Sequence, residues 1–124
     1  MAQEFNHSSI LAFLFVKIYK EDPNAELPDE LKVTTTNFLN GCADVLSTLK
    51  DWMTEEQIQW HMYEIGKVHY GIEKKQLKEW FSHLYLLTYG QPSGPRWGTW
   101  IEIFGVDGFK KLLTDRLNKP FFYY

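Results

Sequence analysis

An all-α fold, an irregular bundle of about six helices, is predicted by three observations. Apolar residues recur at spacings of three, four and seven along the chain, the connections between these periodic runs are short, and no segment alternates in the manner of a strand. The 124 residues suit a single domain, and 44% apolar with 17% aromatic residues is enough for a sizeable core.

The first helix is expected over residues 7–20, capped by Ser8 or Ser9, with Ile10, Phe13, Leu14 and Lys17 on one side. The stretch to Pro28, with Pro23 and Asn24 among acids, reads as a linker, so residues 1–28 form an N-terminal helix and linker ahead of a bundle over 29–120. A second helix from Asp29 to Lys50 carries Leu31, Phe38, Cys42, Val45, Leu49 and, beyond it, Trp52 on one apolar stripe. Thr54-Glu55-Glu56-Gln57 is a capping box that opens a third helix, with Ile58, Met62 and Ile65 inward and Gly71 as its stop. The fourth spans Glu73 to Tyr89, with Leu77, Trp80, Phe81, Leu84, Tyr85 and Thr88 inward. Trp97, Trp100, Ile101 and Phe104 mark a short fifth helix, and Phe109, Leu112, Leu113 and Leu117 a sixth that stops before Pro120. The aromatic tail Phe121-Phe122-Tyr123-Tyr124 is expected to fold back onto the bundle.

The turn between the fourth and fifth helices has the densest chemistry. Gly90 suits the position past a helix end, where the left-handed backbone is needed. Gln91-Pro92-Ser93-Gly94 is turn chemistry, and Pro95 fits a first helical position. Arg96 and Trp97 then open the next helix, on a first turn whose free amides suit a phosphate. The plainer reading of Gly-Pro-Arg-Trp-Gly is a tight interhelical connection with a solvated arginine.

From Trp52 to about Leu117 the chain resembles the C-terminal, anticodon-binding helical domain of class I lysyl-tRNA synthetases, the lysine enzymes built like the glutamate ones. The resemblance is carried by Met62-Tyr63-Glu64-Ile65-Gly66-Lys67, Trp80-Phe81, Leu84-Tyr85-Leu86-Leu87, Gly90, Gly94-Pro95-Arg96-Trp97-Gly98, Trp100-Ile101 and Phe104-Gly105-Val106. It implies a tRNA-binding module with lysine tRNA as partner, and a separate catalytic synthetase as a further candidate partner. The nucleotide-binding domain of such enzymes and its signatures are absent from these residues, so the chain is expected not to charge tRNA by itself, whether it is a synthetase fragment or a stand-alone RNA-reading domain.

Charge follows the same division. Residues 1–66 hold four lysines against eleven acids, a net of −7, and residues 67–124 hold nine basic residues against five acids, a net of +4, which together make the overall −3. An acidic total argues against nonspecific nucleic-acid binding but allows a local basic face. Unpaired RNA is read by stacking bases on aromatic rings or guanidinium planes and by hydrogen bonds to base edges. The candidate contacts are Arg96, Trp97 and Trp100 near Tyr89 and Gln91, with Lys67, Lys74 and Lys78 as cations. Arg96 is the leading member, and Trp100 also fits a core stripe. Lysines at helix ends can equally answer the helix dipole and keep the protein soluble.

Other chemistries find little support. His61 and His69 lie eight apart and His83 has no acidic partner at ligand spacing, so no metal and no cofactor is expected. Cys42, the single cysteine, sits on an apolar face as a packed thiol, and no catalytic residue is identified. The run Ile10–Val16 is far short of the ~20 residues of a membrane span, and a soluble, cytoplasmic protein is expected. The alternative function is a helical protein-interaction module of the same fold that has lost its RNA, using the acidic first half or the aromatic tail.

Overall fold

The computed structural model describes residues 29–118, which fold into five helices with no strand among them. These are α1 (Asp29–Thr48), α2 (Glu55–His69), α3 (Lys74–Thr88), α4 (Trp97–Phe104) and α5 (Val106–Asn118). They are the second to sixth of the helices expected from the sequence. The helix over 7–20 and the aromatic tail lie outside the described residues.

α2 is the hub, packing against α1, α3 and α4, while α5 closes the bundle against α1, α3 and α4. Its start is set locally. The Thr54 side chain accepts from the Gln57 amide at 3.2 Å, and the Gln57 side chain accepts from the Thr54 amide at 2.8 Å.

The core takes one stripe from each helix. Phe38, Cys42, Val45 and Leu49 of α1 meet Ile58, Met62 and Ile65 of α2, Trp80, Leu84 and Leu87 of α3, Ile101 of α4, and Phe109 and Leu113 of α5. Burial pushes the Cys42 thiol pKa far above its ordinary value, as befits a packed group. Trp52 is a correction to the expected stripe. Its spacing continues α1 beyond Thr48, but the helix has already ended, and the indole is 69% exposed.

Trp80 organises the centre. Its indole is fully buried and donates to the Met62 carbonyl at 3.1 Å. It lies in a slot made by two glycines. A Cβ on Gly41 of α1 would stand 2.7 Å from the ring, and one on Gly66 of α2 would stand 2.5 Å from it. Beside it, the Tyr70 hydroxyl and His83 Nδ1 are 2.7 Å apart, and burial holds that hydroxyl protonated.

Two further histidines tie α2 to α1. His69 Nε2 donates to Asp44 at 2.6 Å, and His61 Nε2 lies 2.6 Å from the Thr48 hydroxyl. Thr48 gives its own hydrogen to the Asp44 carbonyl, so the imidazole is the donor in that pair.

Candidate nucleic-acid interface

The 89–96 turn is pinned by Tyr85. α3 ends with the Tyr89 and Gly90 amides both on the Tyr85 carbonyl, at 2.6 and 2.9 Å, and Gly90 takes φ 90°, which a side chain would strain. The chain then folds back over the Tyr85 ring. Gly94 lies flat against it, the Tyr85 hydroxyl donates to the Pro95 carbonyl, and the ring stacks on Trp97 with centroids 4.2 Å apart. Burial raises the Tyr85 pKa to about 12, with the neighbouring Tyr63 and Tyr89 adding to it, so the hydroxyl remains a donor.

The expected phosphate seat on the first turn of α4 is filled by the protein itself. Trp97, not Pro95, is the first helical residue, and Arg96 is the N-cap, with a non-helical backbone at φ −56° and ψ 131°. Gly98 donates its amide to Gln59 of α2 at 2.9 Å, and the Thr99 hydroxyl donates to the Glu55 carboxylate. The Arg96 guanidinium faces Glu55 and Glu56, at 3.9 Å from each, and keeps 44% of its side chain exposed. α2 therefore supplies the anion that the sequence reading left to a ligand.

Trp97 is a second correction. It is 2% exposed and packed among Phe81, Tyr85, Trp100 and Phe109, so it offers no face to a base. Trp100 is half-buried, with edge contacts to Tyr89 and Phe109. Tyr89 and Gln91 are exposed on the turn, and Lys67 lies on α2, paired with Glu64 at 3.2 Å and over the Trp60 ring at 5.1 Å.

Lys74 and Lys78 come together, with Lys75, on the wall of a groove of about 1110 Å³. Its aromatic side is Tyr63 and Phe81, set edge to face at 4.8 Å, with Tyr85 behind them, and Pro92 and Ser93 of the turn form the rim. Glu79 is the one carboxylate in the lining. No carboxylate pairs with any of the three lysines among the described residues. Their placement runs against helix electrostatics, because they occupy the first two turns of α3, where the dipole opposes a cation and the neighbouring acids are the capping Glu73, whose carboxylate accepts from the helix's own backbone, and Glu79. A phosphate would see lysines and dipole together. The pairing of Tyr63 with Phe81 was not legible in the sequence, because 18 positions separate them and only the α2–α3 packing brings them together. Among the described residues no three His, Cys, Asp or Glu side chains gather as metal ligands.

Lysine-tRNA ligases are similar to this chain. That of Rickettsia typhi is 44% identical over 75 residues, which is 60% of the chain and 14% of the ligase. The chain carries a region related to lysine-tRNA ligase. The ligases of Rickettsia prowazekii and Rickettsia conorii are 40% and 39% identical over 79 residues, 64% of the chain and 14% and 15% of their own lengths. The chain thus spans about one-seventh of these relatives. No family model and no solved structure matches it.

Proposed function

We propose that the chain is a tRNA-binding module, equivalent to the helical anticodon-binding domain of class I lysyl-tRNA synthetases, that takes the anticodon loop of lysine tRNA in the α2–α3 groove. The observation that carries this reading is the set of three uncompensated lysines, Lys74, Lys75 and Lys78, placed beside an aromatic wall at the end of α3 where only an anion benefits from them. The similarity to lysine-tRNA ligases supplies the tRNA. Phosphates of the loop meet the lysines, and a splayed base lies against Tyr63 or the Tyr89 edge of the turn, where stacking contributes ~1–3 kcal/mol per base. Residues 29–120 form the binding unit. Aminoacylation belongs to a catalytic synthetase domain that these residues do not contain, and such a module works in the cytoplasm.

The test is binding of the purified chain to lysine tRNA and to the same tRNA with a changed anticodon. Affinity is expected to fall with the changed anticodon and with rising salt. Replacing Lys78 by Gln should reduce the salt slope by about 0.7, the share of one single-strand phosphate contact. Arg96→Ala should weaken binding less than Lys74→Ala or Lys78→Ala, because Glu55 and Glu56 already face that guanidinium. Equal affinity for both anticodons, or a larger loss with Arg96→Ala, overturns the assignment.

A further inference from the structure

A second cleft, at the start of α2, has the opposite chemistry. It measures about 440 Å³ and is lined by Trp52, Met53, Glu56, Gln57, Trp60 and His61. Trp60 is 64% exposed and Trp52 more so, whereas Trp80 and Trp97 are buried in the core and Trp100 packs half-buried against it. Two exposed indoles around one cleft are unusual on a small domain whose remaining tryptophans pack inside. Glu56 stands one helical turn before Trp60, and no lysine or arginine lines the cleft.

Contacts within the chain show what these groups accept. The Lys67 ammonium sits over the Trp60 ring at 5.1 Å, and the Arg96 guanidinium approaches Glu56 at 3.9 Å. Indole faces and a carboxylate both attract cations. We propose that the Trp52–Trp60 cleft docks an arginine- or lysine-bearing segment of a protein partner, whose cationic head lies between the indoles against Glu56. An RNA strand fits this cleft poorly, because its phosphates would meet Glu56 with no lysine in the lining. The proposal stands on these residues alone and is independent of the lysine groove.

The test follows the indole N–H signals of the full chain by NMR during titration with the peptide acetyl-Gly-Arg-Gly-Arg-Gly-amide, its glutamate counterpart and a short oligouridylate. The arginine peptide is expected to shift the Trp52 and Trp60 signals saturably and leave those of Trp80 and Trp97 in place. Trp52→Ala or Glu56→Gln should weaken that binding about threefold or more. Glu102→Gln, which removes an exposed carboxylate outside the cleft, should leave it unchanged. All three substitutions are at exposed positions, and far-UV circular dichroism checks that the fold is kept. The proposal is overturned if the peptide moves neither indole, if the oligouridylate moves them more, or if Glu102→Gln costs as much affinity as Glu56→Gln.

Discussion

A single methyl group at Gly98 would strike the carbonyl oxygen of Glu55, 2.2 Å from where a Cβ must lie. Neither atom is the loose end of a side chain. Gly98→Ala therefore pushes α4 off α2 and strains the Gly98–Gln59 and Thr99–Glu55 hydrogen bonds. The expected cost is about 2–3 kcal/mol in urea unfolding, the range of overpacked sites with hydrogen bonds attached. Gly66→Ala tests the tryptophan slot in the same way. The Trp80 ring is fully buried and rigid, so the added carbon displaces it and stretches its bond to Met62, with an expected loss of about 1–3 kcal/mol. An unchanged midpoint in either variant would show that the helices slide apart freely. Truncation of an exposed side chain such as Glu102 should give no such effect.

Between elements, one of the histidines that join α1 to α2, His61, responds to acid. Burial lowers the His61 pKa below the ordinary histidine value of about 6.5, with the charges of Asp44 and Glu64 acting in the opposite sense. Because the folded state binds its proton less readily than the unfolded one, His61 contributes stability above about pH 6.5 that is lost as pH falls through the folded value. Thermal melts between pH 7.5 and 5 should show a falling midpoint, and His61→Gln should flatten that slope. An identical slope in the variant would assign the acid sensitivity elsewhere. At the other end of α2, α3 carries its lysines where the dipole opposes them. Lys75→Glu should thus stabilise the fold by about 0.5 kcal/mol while weakening tRNA binding. That opposition of stability and affinity is what separates a functional cation from a solubilising one. A variant that loses both would contradict it.

Over the whole molecule, the legible parts are those decided within one or two helical turns. The Thr54–Gln57 box, the Gly90 stop, the packed Cys42 and most of the apolar stripes depend on spacing alone, and the structure has them where the spacing puts them, apart from Trp52 and Phe104, which are exposed. What could not be read involves partners far apart in the chain. Glu55 meets Thr99 across 44 positions, Gln59 meets Gly98 across 39, and both occupy the turn that looked open to phosphate. Trp97 looked like a stacking platform because it follows an arginine in a turn, yet the helix starts two residues later than Pro95, at Trp97 itself, and the indole packs into the core. The charge division between the chain's halves pointed to the lysine half, but only packing separates Lys74, Lys75 and Lys78 from Lys67, Lys111 and Arg96, which have acidic partners.

The borrowed cap of α4 has an outcome for protein engineering. A helix of eight residues is marginal by itself, and its Gly98 amide and Thr99 hydroxyl are completed by side chains of α2. Anyone grafting the Gly-Pro-Arg-Trp-Gly corner into a foreign scaffold must transplant Glu55 and Gln59 with it, or the corner will arrive unwound.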